Sequence, residues 1–189
     1  MSDEVALLVN PTAGKGRGAR VGKLAATMLR QAGVPTRLLI GRDAADTAEL
    51  GRAALEHGAR ALVVVGGDGM THLGAQLVAG TTTPFGVVPA GTGNDFVRSL
   101  DLPHRKPDVV ISRLVEALRT GSTRPVDAVQ AGATWYACVL SAGFDSMVNE
   151  RANRLRWPTG PRRYDIAMLL ELPVFRPIPF VLELSDGDG

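Results

Sequence analysis

Short unbroken apolar runs alternate with longer stretches in which apolar residues recur at helical spacing. Val5 to Val9, Thr36 to Ile40, Ala61 to Val65 and Phe85 to Val88 have the first pattern and predict strands, the third buried on both faces. Between them lie segments that predict helices. One runs from about Ala19 to Ala32, with Val21, Leu24, Ala25, Met28 and Leu29 on one face. Others span roughly Ala44 to His57, Met70 to Ala79 and Pro107 to Thr120. The boundaries carry their own signals. Gly33 with Pro35 closes the first helix, Asp43 is placed to cap the second, and Gly58 ends it. Pro107 opens the last helix and Gly121 stops it. Strand and helix alternating through short connections predict an α/β fold: a mostly parallel sheet with helices on both faces.

Near Arg124 the rhythm changes. Pro125 to Ala131 and Thr134 to Leu140 read as two strands joined at Gly132-Ala133, a hairpin with Trp135 and Tyr136 in its core. Residues 145 to 172 read as partly helical, and Pro179 to Leu184 as one more strand before a turn-prone Ser185-Asp186-Gly187-Asp188-Gly189. A hairpin and one strand do not make a stable sheet alone. The expected organisation is an α/β domain over residues 1–122 and the incomplete start of a β-rich, antiparallel domain over 123–189.

Composition narrows the class without naming a function. The 189 residues (19.9 kDa) are 45% hydrophobic with 22 glycines, as in a turn-rich α/β protein. No apolar run nears the roughly 20 residues that span a bilayer. The acidic start, Met1-Ser2-Asp3-Glu4, lacks the positive region of a secretory signal. The single cysteine, Cys138, excludes an intrachain disulfide and reads as a packed thiol in an apolar run; the expected compartment is the cytoplasm. A net charge of +2 gives no reason to expect nucleic acid. His57, His72 and His104 lack metal-ligand spacing.

The candidate chemistry sits in three glycine-rich turns, after the first, third and fourth strands. Ligands of open α/β sheets collect at the carboxyl ends of the strands, so these turns should converge on one edge. A P-loop is excluded, because neither Gly14-Lys15 nor Gly22-Lys23 has the preceding glycine or the following hydroxyl. A dinucleotide fingerprint is formally present at Gly14, Gly16 and Ala19, but it starts too far from its strand and no acidic residue ends the second strand. In Gly66-Gly67-Asp68-Gly69, glycines allow close approach to phosphate, while a carboxylate among phosphates suggests a divalent cation or a hydroxyl nearby. The competing reading makes Asp68 a cap for the helix that follows.

Three motifs in order, Asn10-Pro11-Thr12-Ala13-Gly14, Gly66-Gly67-Asp68-Gly69 and Gly91-Thr92-Gly93-Asn94-Asp95-Phe96, resemble the diacylglycerol kinase catalytic domain family, shared by bacterial lipid kinases and sphingosine kinases. Val126-Asp127 and Ala142-Gly143-Phe144-Asp145 resemble that family's entry into its second domain. The resemblance implies a fold similar to phosphofructokinase and NAD kinase, with the active site between an α/β domain and a β-sandwich. It implies ATP held by Asn10, Pro11, Thr12, Ala13 and Gly14, by Gly66, Gly67, Asp68, Gly69, Met70 and Thr71, and by Thr92. Asp68 and Asp95 would be the catalytic acids, organising Mg²⁺, nucleotide and the acceptor hydroxyl; no complete metal-ligand set is implied within this chain. The reaction would move the γ-phosphoryl group of ATP to a lipid hydroxyl such as that of diacylglycerol. A soluble acceptor and a catalytically inactive nucleotide-binding module are the alternatives.

The chain departs from the family pattern in three places. Met70 stands where the family has threonine, with Thr71 next. Gly41 or Arg42 stands where many members have a nucleotide-contacting threonine. The family's general-base glutamate lies in a later Asp-Gly-Glu stretch, to which Asp186-Gly187-Asp188 does not correspond; the chain as given is expected to be a truncated portion, inactive alone.

Arg151, Arg154, Arg156, Arg162 and Arg163 surround Trp157, a composition suited to the anionic inner face of a membrane and equally to a solvated helix face. Lys15, Arg17 and Arg20 suit either a triphosphate or open surface. A homodimer is compatible with the sequence.

Overall fold

The computed structural model describes residues 3–139, 141, 143–155, 157–158, 162–179 and 181. Four strands, β1 (Val5–Val9), β2 (Thr36–Leu39), β3 (Ala61–Gly66) and β4 (Phe85–Pro89), form one sheet in the order β2-β1-β3-β4, every pair parallel. All residues of β1 and β3 are buried. Burying one such Val or Leu side chain is worth about 1.5–3 kcal/mol, so this central pair anchors the sheet.

Alternation along the strands divides the core in two. Val5, Leu7, Val9, Val63 and Val65 meet α1 (Ala13–Gln31) through Val21, Ala25 and Leu29, and α5 (Pro107–Thr120) through Ile111. Ala6, Leu8, Leu62 and Val64 meet α2 (Ala44–Glu56) through Ala54, and α3 (Asp68–Val78) through Met70 and Val78. A double-sided core is what continuous apolar strands require. As expected, Asp43 caps α2, its Oδ1 accepting the Asp46 N–H at 2.8 Å. A short helix, α4 (Asp95–Ser99), follows the third glycine turn and carries no apolar period long enough to read from sequence.

The chain moves from β1 outward to β2, then returns to place β3 on the other side of β1. The sheet therefore has its topological switch between β1 and β3, with the glycine turns after β1 and β3 on either side of it.

The described chain falls into two compact units, 1–138 and 139–189. The antiparallel hairpin, β5 (Val129–Ala131) with β6 (Thr134–Tyr136), is shorter than expected and lies in the first unit. Trp135 and Tyr136 are half-buried and turn toward α3 instead of forming a hairpin core. Gln76 on α3 imitates a neighbouring strand: its Oε1 accepts the Trp135 N–H at 2.9 Å and its Nε2 donates to the Trp135 carbonyl at 2.6 Å. The His72 and Tyr136 rings add a contact at 5.7 Å.

Within the second unit, α6 (Phe144–Arg154) and α7 (Arg162–Glu171) enclose Val148, Ala152 and Ala167. Arg151 pairs with the buried Glu171, and Phe144 meets Phe175 edge-on at 5.1 Å. The strand expected at Pro179 to Leu184 and the Asp186-Gly187-Asp188 turn lie almost wholly outside the described residues. Among those described, no helix is long and apolar enough to cross a membrane.

Replacing Gln76 with Ala removes both hydrogen bonds that hold the Trp135 backbone to α3, at an exposed site where water can serve the freed groups. The expected loss is about 1 kcal/mol of stability in urea. Amide exchange across residues 129–136 should quicken while β1 and β3 stay protected; an unchanged hairpin would show that it docks by other means.

Candidate functional site

The three glycine turns meet at the carboxyl edge of the sheet. After β1, the Asn10 N–H donates to Val65 O at 3.0 Å, tying the first turn to β3. The Asn10 Oδ1 accepts from the Thr12 N–H at 3.0 Å and the Thr12 hydroxyl at 2.8 Å, which bends the chain outward. Gly14, Lys15 and Gly16 then hold left-handed φ values of 58°, 62° and 87°, so the regular part of α1 starts only beyond Gly16. Lys15 bears the Cβ clash of that conformation, on the order of 1–2 kcal/mol.

After β3, Gly67 caps α3 with its carbonyl, which accepts the N–H groups of Met70 at 3.0 Å and Thr71 at 3.1 Å. The amides of Asp68 and Gly69 occupy the first turn, where helix geometry offers no partner within the helix. Asp68 does not cap α3. Its carboxylate crosses to the third turn, where Oδ2 accepts the Asn94 N–H at 2.9 Å and Oδ1 the Asp95 N–H at 2.7 Å.

After β4, the Ala90 and Gly91 amides both donate to Gly66 O, at 2.7 and 3.1 Å. Asn94, buried and left-handed at φ 57°, closes the turn on itself. Its Oδ1 accepts the Gly91 N–H and its Nδ2 donates to Gly91 O, both at 3.0 Å. The motif gives Asn94 no role of its own, and its neighbouring turn residues are its local signal.

The turns touch through glycine backbones. A Cβ on Gly91 would lie 2.3 Å from the Gly67 Cα, and one on Gly14 2.1 Å from Ala90 O. Gly93 lets both acids come close to the third turn. A Cβ there would lie 2.6 Å from Asp68 Oδ2 and 3.6 Å from each Asp95 carboxylate oxygen. Both carboxylates therefore lie beside the Gly93 backbone. Asp95 is exposed and also accepts from Arg98 Nη1 at 3.2 Å.

Asn10, Pro11, Thr12, Ala13 and Gly14, with Gly66, Gly67, Asp68 and Gly69, and Thr92 with Asp95, are thus gathered at one edge. Met70 and Thr71 are not presented there: both side chains are buried and both N–H groups are spent on Gly67. Arg42, at the position where a nucleotide-contacting threonine was expected, forks onto Asp46 through Nε and Nη2, both at 3.1 Å. Those side-chain hydrogen bonds, followed by that of the Arg42 N–H, pull the Asp46 carboxyl from 3.8 to about 2. Cys138 is exposed, contrary to the expected packed thiol. Local desolvation, then the Asp95 and Asp68 carboxylates, push its thiol upward.

In the second unit, Arg151 and Arg154 are paired with Glu171 and Glu150, and Arg163 donates to Pro158 O at 3.3 Å. Trp157 is 78% exposed. Arg156 lies outside the described residues. Among the described residues no three His, Cys, Asp or Glu side chains form a metal cage.

An α/β domain whose glycine turns and two carboxylates crowd the switch-point edge of a parallel sheet is the class defined by this geometry. The chain belongs to the diacylglycerol kinase catalytic domain family, whose model matches residues 4–131. It is 40% identical over 186 residues to a diacylglycerol kinase of Mycobacterium tuberculosis H37Rv, covering 96% of this chain and 59% of that protein. Against a diacylglycerol kinase of Staphylococcus carnosus it is 27% identical, covering 92% of this chain and 56% of the relative. The chain thus spans less than two thirds of the length of either. The crystal structure of a diacylglycerol kinase from Bacillus anthracis shares the fold, with a TM-score of 0.57 and 24% identity over 70% of this chain and 45% of that one.

Gly91→Ala forces a methyl group into the Gly67 backbone and should cost about 1–3 kcal/mol, read as a lower Tm. A Tm equal to the parent's would mean that the turns are held less closely than described. Arg42→Ala should return the Asp46 carboxyl toward 3.8, followed by NMR titration. The folded value is depressed, so the pair's stabilisation is present above the unfolded value near 3.8 and fades as pH falls toward about 2.

Proposed function

We infer that this chain is the nucleotide-binding portion of an ATP-dependent lipid kinase, which transfers the γ-phosphoryl group to the hydroxyl of diacylglycerol or a related lipid. The meeting of the three glycine turns at one edge, with the Asp68 and Asp95 carboxylates beside Gly93, is the observation that carries this reading. Phosphoryl transfer needs positioning and charge neutralisation more than covalent help. Asn10 to Gly14, Gly66 to Gly69 and Thr92 supply close backbone and hydroxyl groups for the phosphates, with α3 presenting its amino end. Met70 and Thr71 support that end from within the core.

The donor set suits Mg²⁺, which favours one or two carboxylates with waters and phosphate oxygens over an all-protein cage. Asp68 and Asp95 would hold it, and when bound it would neutralise phosphate charge. Asp68 keeps free lone pairs for this while its two backbone hydrogen bonds hold it oriented. Asp95, exposed and hydrogen-bonded to Arg98, is the acid suited to orient an acceptor hydroxyl. In the transfer, the acceptor oxygen forms a bond to the γ-phosphorus as the bond to the ADP oxygen breaks. The group that takes the hydroxyl proton is not assigned within this chain.

A lipid acceptor calls for work at a membrane from the cytoplasmic side. Trp157 and Arg162 are the residues of the second unit best suited to touch an anionic surface, since Arg151 and Arg154 are already neutralised by glutamates.

The test is an assay of the whole encoded protein with labelled ATP against diacylglycerol vesicles, sphingoid bases and soluble sugars. Label should enter the diacylglycerol, and both Asp95→Asn and Gly93→Ala should lower turnover by about a hundredfold or more. Near-parent rates in either variant would remove the two acids from the reaction, and label in a sugar would move the protein to a soluble acceptor.

A further inference from the structure

Arg17 stands at the start of the regular part of α1, and its sequence context suited a triphosphate or open surface equally. On this exposed residue the guanidinium is engaged by main-chain carbonyls. Nε donates to Ala90 O at 3.3 Å and Nη2 to the same oxygen at 3.1 Å, while Nη2 also donates to Gly91 O. These carbonyls are 73 and 74 residues away along the chain. Gly91 O is met from its other side by Asn94 Nδ2 at 3.0 Å. Gly14 makes room for the arrangement: a Cβ at that residue would lie 3.1 Å from Arg17 Nε and 3.2 Å from Nη2.

A planar fork with fixed donors can serve two adjacent carbonyls at once, which a lysine ammonium on a flexible stem cannot do as well. Hydrogen bonds from a charged donor are also stronger than those from a neutral one. Asp68 pulls on the same turn from the opposite end, through the Asn94 and Asp95 amides. The third turn is therefore fastened at both ends by charged side chains, with Asp95 at the Asp68 end and Thr92 on the stretch between.

We propose that Arg17 is a positioning residue, which fixes the Gly91–Asp95 turn against the first turn and thereby sets the place of Thr92 and Asp95 beside Asp68. It acts through main-chain carbonyls and does not touch substrate. Its consequence for nucleotide rests on the kinase reading above; its consequence for the turn does not.

The experiment takes the full chain as parent, Arg17→Ala and Arg17→Lys, with amide exchange as the first readout and titration with ATP and Mg²⁺ as the second. In Arg17→Ala, exchange at residues 91–95 should rise about tenfold or more while β1 and β3 keep the parent's protection. Nucleotide affinity should fall by about tenfold. Arg17→Lys should lie between parent and Ala in both, and it decides the matter if Arg17→Ala fails to fold. Unchanged exchange at 91–95 would overturn the proposal, and so would faster exchange with undiminished affinity. A parent that binds no nucleotide would refute the kinase reading, leaving exchange at 91–95 to decide the role of Arg17.

Discussion

Everything at the carboxyl edge depends on two backbones coming closer than side chains would allow. Gly67 and Gly91 belong to turns after neighbouring parallel strands, and any Cβ on Gly91 would collide with the Gly67 Cα. Close approach alone is repulsive or neutral. It persists because the Ala90 and Gly91 amides find Gly66 O and because β3 and β4 are locked in register below. The sheet, with its central pair buried on both faces, is rigid enough to hold the turns at that separation.

On this frame, charged side chains do the fine placement. Asp68 is the telling case. Sequence suggested either a metal-organising acid or a cap for its own helix, yet it reaches across to the amides of Asn94 and Asp95. A carboxylate accepting two backbone N–H groups is oriented by them. One side chain thus links the second turn to the third. Asp95 differs: it is exposed, lightly tethered and placed by its backbone.

The second unit follows a different logic. Its small core is closed by the pair between Arg151 and the buried Glu171, and several large apolar side chains, including Leu169, Leu172 and Val174, remain exposed. Arginines that look like a basic patch in a linear reading are partly consumed by pairs within this unit. A charge run cannot be equated with a charged surface until the partners of each member are known.

The sequence by itself determined the alternation of strand and helix, the parallel α/β class and the three turns, because period, glycine and proline are local signals. Val5 to Val9, the capping by Asp43 and the helix at Pro107 to Thr120 were legible for that reason. The motifs at Asn10, Gly66 and Gly91 also carried the family. Only the tertiary structure decided which groups face one another. It brought the Asp68 and Asp95 carboxylates beside Gly93, turned Met70 and Thr71 inward, exposed Cys138, drew Trp135 onto Gln76 and committed Arg17 to Ala90 and Gly91. Each of these depends on atoms brought together from distant parts of the chain, and no local pattern records whether a polar side chain will meet water, a backbone amide or another charge.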